Sequence, residues 1–127
     1  EGIGPANAAK LAESGVKTVE ALLERGASAK GRKELEEATG VSGKLILRWV
    51  NMADLFRIKG VGEEYADLLE AAGVDTVPEL AQRNGANLHA RMAEVNEEKR
   101  LVRALPTEAK VVDWVTQAKT LERVVSH

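Results

Sequence analysis

Two glycine pairs hold the clearest chemical potential in this chain of 127 residues: Gly2-Ile3-Gly4 and Gly60-Val61-Gly62. A Gly-apolar-Gly turn that feeds a helix leaves main-chain N–H groups without helical partners. Those donors, with the helix dipole behind them, favour a phosphate or another anion. The residues that follow the two turns differ. Pro5, Ala6 and Asn7 come after the first, with Lys10 further along, whereas Glu63, Glu64, Asp67 and Glu70 come after the second. Carboxylates in a first helical turn satisfy the helix N-terminus from within the chain. Residues 60–80 hold six acidic residues and no basic one, a local charge that repels phosphate within a Debye length of about 8 Å.

Other reactive groups are few. Cysteine is absent, which excludes disulfides, thiolate metal sites, iron–sulfur clusters and cysteine nucleophiles. His89 and His127 are the two histidines and have no spacing partner for a metal, so surface or capping roles are expected. No nucleophile or acid–base pair announces itself. The expectation is therefore a non-enzyme with no catalytic residue, no cofactor, no metal and no small-molecule substrate.

Charge is balanced overall and uneven along the chain. Lys and Arg number 18 against 20 Asp and Glu, a net charge of −2, unlike the strongly basic domains that coat nucleic acid. Residues 30–59 nonetheless carry seven basic side chains, Lys30, Arg32, Lys33, Lys44, Arg48, Arg57 and Lys59, against four acidic ones. A positive segment beside a negative one suits head-to-tail contact between copies. Arg91, Lys99, Arg100 and Arg103 interleave with Glu94, Glu97 and Glu98, the pattern of helix-surface ion pairs. No apolar run approaches the roughly 18 residues of a membrane-spanning helix, and no positive-then-apolar signal sequence is visible. A cytoplasmic location is expected, with an extracellular one left open because the chain starts at Glu1 rather than Met.

The elements that position these residues come in two copies. A shift of 58 residues superposes Gly2 and Gly4 on Gly60 and Gly62, Ala8 on Ala66, Leu11 on Leu69, Gly15-Val16 on Gly73-Val74, Thr18-Val19 on Thr76-Val77, Leu22 on Leu80 and Arg25 on Arg83. A shift of 65 then places Ile46, Trp49, Val50 and Ala53 on Val111, Trp114, Val115 and Ala118. Two units follow, 1–57 and 58–127. Apolar residues recur three and four apart, so the expected fold is all-α with about four helices per unit. The first unit reads as helices over 5–14, from Thr18 to near Gly26, over 30–39 and over 43–57, with Gly15 and Gly40 as stops and Ser42 as a cap. In the second, 63–72 is a helix halted by Gly73, and Thr76 caps a helix with Pro78 in its first turn. Asn87 and Asn96 read as caps inside 87–104, giving two short helices or one bent one, and Thr107 caps a last helix over 108–121. Trp49 and Trp114 fall on matching apolar stripes and are assigned as core anchors, while Tyr65 is expected to be half-buried.

The stretch from Ile58 to Leu69, Ile-Lys-Gly-Val-Gly-Glu-Glu-Tyr-Ala-Asp-Leu-Leu, resembles the helix-hairpin-helix motif, apolar-x-Gly-apolar-Gly-x-x-x-Ala-x-x-Leu. Residues 2–11 match it again, and the Gly-Val-Lys/Asp-Thr-Val-x-x-Leu pieces resemble the next helix junction of that superfamily, as in the tandem domains of branch-migration and repair proteins. The chain is similar as a whole to an uncharacterised family of paired units of this type. The resemblance implies contact with a nucleic-acid backbone without sequence readout, carried by Gly2, Gly4 and Lys10 with help from Lys30, Arg32 and Lys33. The second copy departs from that pattern, with Glu63, Glu64 and Asp67 where binding copies place Lys or Arg, and these with Glu70 are the acidic face expected to meet a partner. The motif also resembles the hairpin of DNA glycosylases, but Asp75 stands at the junction that Lys17 occupies in the first copy. The chain also lacks a second lobe to enclose a flipped base. The reading expects a scaffold that meets a protein partner or another copy of itself, with nucleic-acid binding through the first hairpin as the alternative.

Overall fold

Helix ends set the layout, and short polar side chains with glycines place most of them. The computed structural model describes residues 5–126, over which the chain forms eight α-helices and no strand. They are α1 (Pro5–Glu13), α2 (Val19–Gly26), α3 (Ala29–Thr39), α4 (Gly43–Leu55), α5 (Glu63–Ala71), α6 (Val77–Ala81), α7 (Gly85–Lys99) and α8 (Glu108–Thr120). The Thr18 hydroxyl accepts from the Ala21 N–H at 3.0 Å, and that of Ser28 from the Gly31 N–H at 3.0 Å. Such caps satisfy donors that helix geometry leaves unpaired.

The chain forms two compact units. Within the described residues the first comprises 5–54 with 124–126, and the second 55–123. Leu11, Val16, Leu22, Leu35, Val41, Ile46, Trp49, Val50, Ala53 and Val125 form the core of the first unit. The core of the second includes Leu69, Val74, Leu80, Leu88, Met92, Val111 and Trp114. Leu55 belongs to the second unit, and Val125 to the core of the first.

The repeat is visible at atomic detail where α1 and α5 end. Val16 N–H donates to Leu11 O at 2.8 Å and Gly15 N–H to Ala12 O at 3.0 Å. Val74 N–H donates to Leu69 O at 2.8 Å and Gly73 N–H to Glu70 O at 3.0 Å. Both are Schellman endings, which require a left-handed residue just past the helix, and Gly15 and Gly73 supply it with φ of 90° and 97°. The repeated arginine has the same office in each copy. Arg25 Nη1 donates to Ser14 O at 2.6 Å and Arg83 Nη2 to Gly73 O at 3.0 Å, each reaching back to a carbonyl at the preceding helix end.

Two sequence expectations need correction. The fourth helix stops at Leu55 instead of 57, because the chain tightens there, with Ile58 N–H donating to Leu55 O at 3.0 Å. The 87–104 stretch is one helix, α7, which begins two residues before Asn87 and ends at Lys99. Its cap is Asn84, whose Oδ1 accepts from the Asn87 N–H at 3.0 Å. Asn96 lies inside the last turns, and its amide both donates to Val102 O at 3.2 Å and accepts from Val102 N–H at 3.0 Å. That pair folds the chain back after Arg100, which ends α7 with a left-handed φ of 52°.

Candidate functional site

Residues 58–62 are the described copy of the Gly-apolar-Gly motif; Gly2, Ile3 and Gly4 lie outside the described residues. It begins with the turn after α4, where Val61 N–H donates to Ile58 O at 3.1 Å, and Ile58 and Val61 are buried. Gly60 has a φ of 98°, and a Cβ there would lie 3.1 Å from Trp114 Nε1. Glycine therefore serves two needs at this position, a left-handed backbone and close approach to an indole. From α8, Gln117 accepts from the Lys59 N–H through Oε1 at 2.8 Å and donates to Lys59 O through Nε2 at 3.1 Å. The same Nε2 donates to Asp113 Oδ2 at 2.9 Å.

Past the turn, α5 opens without a side-chain cap at Gly62, and Glu63 and Glu64 fill its first turn. Glu64 is exposed, and Glu63, Asp67 and Glu70 are half-buried. Their charge offsets the positive end of the helix dipole. Ala66, Leu68 and Leu69 are fully buried, which fixes the helix on its apolar side. Tyr65 is half-buried, its ring centroid 5.3 Å from that of Trp114 with a tilt of 49°, and its hydroxyl donates to Ala104 O at 3.3 Å.

The residues assigned to phosphate contact separate into two kinds. Lys10 on α1 and Lys30 and Lys33 on α3 are exposed. Arg32, between the latter two, is turned inward and 8% exposed. Its Nη1 donates to Gly26 O at 2.8 Å and Ala27 O at 3.1 Å, and its Nη2 to Ser126 O at 2.6 Å. Burial pushes its pKa below the ordinary arginine value. Arg32 therefore works as a clamp on three carbonyls, and its donors do not face a ligand. Ser126 N–H adds a bond to Ala27 O at 2.8 Å, and Val125 is 1% exposed in the first unit's core.

Trp49 and Trp114 are buried in separate units. His89 Nε2 donates to Pro106 O at 2.9 Å, which ties α7 to the segment before α8. Arg91 and Glu94 pair at 3.3 Å on the surface of α7. Among the described residues, no three His, Cys, Asp or Glu side chains gather as a metal site. No helix there is long and apolar enough to cross a membrane.

Sequence reasoning missed the Arg32 clamp, the Gln117 brace and a cleft of about 350 Å³ on α1 and α2 lined by Ala8, Leu11, Ala12, Val16, Lys17, Thr18, Val19 and Leu22. The sequence carries no signal for the cleft: Val19 and its counterpart Val77 are the same residue, yet Val19 is 44% exposed and Val77 fully buried. The clamp and the brace had none, since both act on main-chain atoms: Gln117 on Lys59, distant in sequence, and Arg32 on nearby Gly26 and Ala27 and on distant Ser126.

No curated protein and no solved structure matches the chain. A family match does cover nearly all of it, from residue 1 to residue 121. The chain with these paired helix ends and this acidic start to α5 belongs to the family described as Domain of unknown function (DUF4332).

Proposed function

We propose that this chain is a tandem helix-hairpin-helix protein that works as a non-enzymatic scaffold through protein–protein contacts, including head-to-tail contact between copies. The observation that carries the reading is the charge at the second hairpin. Glu63 and Glu64 open α5, and no Lys or Arg occurs from 60 to 80. A polyanion approaching that turn meets like charge before it meets the amides. The Lys59 amide, next to the turn, is already held by Gln117. The matching ends of α1 and α5 support a chain built from two units of one kind. Opposite net charge in 30–59 and 60–80 supplies the complementarity that head-to-tail contact needs.

Light scattering across a concentration series, with a pull-down beside it, tests the reading. Oligomers or a recovered protein partner are expected, and a strict monomer without a partner refutes it.

A second reading is favoured by one observation: Lys10, Lys30 and Lys33 are all exposed in the first unit. With the first hairpin they would bind a nucleic-acid backbone without sequence preference. A gel shift at about 50 mM salt, where backbone binding is strong, tests it against duplex, junction and single strand. The absence of any shift removes it.

A further inference from the structure

Two faces of the repeat are open where their counterparts are closed. Around the α1–α2 junction Ala8 and Thr18 are exposed and Val19 is 44% exposed, and all three line the cleft of about 350 Å³. Their counterparts in the second unit, Ala66, Thr76 and Val77, are buried. On the Trp-bearing helices the difference runs the other way. In α4, Leu47 is half-buried and Asn51 and Asp54 are buried. Their counterparts in α8 under the shift of 65, Val112, Thr116 and Lys119, are all exposed. Ala109, Val112, Asp113 and Thr116 recur three and four apart, so they share one face of α8, and each of them is exposed.

We propose that this face of α8 in one copy seats in the α1–α2 cleft of the next. The inference rests on the self-assembly reading above and names its contact. The two faces match in polarity. Val112 and Ala109 bring apolar surface to a cleft walled by Leu11, Val16, Val19 and Leu22, and removing such surface from water on both sides drives association. They also match in charge. Lys17 is the charged residue that lines the cleft, and Asp113 is the charged residue in the middle of the α8 face, with Glu108 and Lys119 of opposite sign towards its two ends. Asp113 accepts from Gln117 Nε2 through Oδ2 at 2.9 Å, and an ionised carboxylate has a second oxygen to offer a lysine. The counterpart positions carry the reverse signs, Arg48 for Asp113 and Asp75 for Lys17. An α8 face that approached the second unit's α5–α6 junction would therefore set Asp113 against Asp75, so the signs select the cleft of the first unit. The contact is heterologous, helix face to cleft, and propagates head to tail.

Charge reversal in the intact chain tests the pairing. Lys17→Glu and Asp113→Lys chains are followed by light scattering up to about 1 mM, which detects even weak contacts, each alone and then mixed in equal amounts. Both positions are exposed, and helical circular dichroism checks that each variant folds. Alone, either variant sets like charges against each other and should associate at least about fivefold more weakly than the parent. In the mixture the altered cleft of one variant meets the altered helix of the other, and their two unaltered faces match as well. Association should then return to within about twofold of the parent's. Variants that associate as the parent does overturn the proposal, and so does a weakening that the mixture fails to restore. The same series on the parent separates this contact from the wider reading. A parent that oligomerises while both variants match it loses this contact and keeps the scaffold, whereas a strictly monomeric parent removes self-assembly and this contact together.

Discussion

Arg32→Met is the sharpest perturbation, because it keeps most of the aliphatic stem and deletes every donor. Three carbonyls lose their partner: Gly26 O at 2.8 Å, Ala27 O at 3.1 Å and Ser126 O at 2.6 Å. Hydrogen bonds from a charged group contribute about 1.5–3 kcal/mol each, and an acceptor left unpaired in a buried place costs about 1–3 kcal/mol. The full sum is not lost. Ala27 O still accepts from Ser126 N–H, and the variant no longer bears the cost of holding a guanidinium at 8% exposure. A net loss of about 2–4 kcal/mol remains. For a chain of this length that lowers the melting temperature by roughly 10 °C, at about 3–5 °C per kcal/mol. Calorimetry measures the shift, and amide hydrogen exchange locates it, with the Ser126 N–H losing protection first. A gel shift run in parallel should not change, since the side chain faces inward. A melting point close to the parent's with Ser126 still protected would refute the clamp, and so would a loss of nucleic-acid affinity without a loss of stability.

Three further outcomes follow from the repeat and its exceptions. Gly15→Ala and Gly73→Ala each force a Cβ into a left-handed conformation, at about 1–2 kcal/mol. The second should be the more costly, because its Cβ would lie 3.0 Å from Arg83 Nη2 against 3.6 Å from Arg25 Nη1 in the first; thermal melts rank them. Val77→Ala should destabilise by about 2 kcal/mol, the transfer of two buried methyl groups plus a cavity. Val19→Ala, at a position 44% exposed, should cost under about 1 kcal/mol, so equal losses in denaturant titrations would contradict the asymmetry between the copies. Asn96→Ala removes both bonds to Val102 and should cost about 1–2 kcal/mol, with faster exchange at the Val102 amide as the local signature.

What could be read in advance is what local chemistry decides. Gly15, Gly40 and Gly73 stand at left-handed helix ends, and Thr18 and Thr107 cap the helices that follow them, because a cap or a stop depends on residues a few positions away. The identity of Arg25 and Arg83 marked the pair as repeated without saying why; the reason, a carbonyl at the preceding helix end, needed the folded turn. Asn96 misled because Asn favours caps in general, and here its amide meets a loop formed only after α7 has ended. Arg32 misled for a related cause. Flanked by two exposed lysines, it reads as part of a basic surface, and the folded carbonyls of Gly26, Ala27 and Ser126 show where it points.

Gln117 treats Lys59 as one peptide group treats another, giving and taking a hydrogen bond without touching its side chain. Over evolutionary time this divides freedom unequally between the partners. Position 59 is open to almost any residue that keeps its N–H, including a change of charge beside the turn. Position 117 is tied to a carboxamide of one length. Related chains should therefore vary in surface charge at the turn while its geometry stays put.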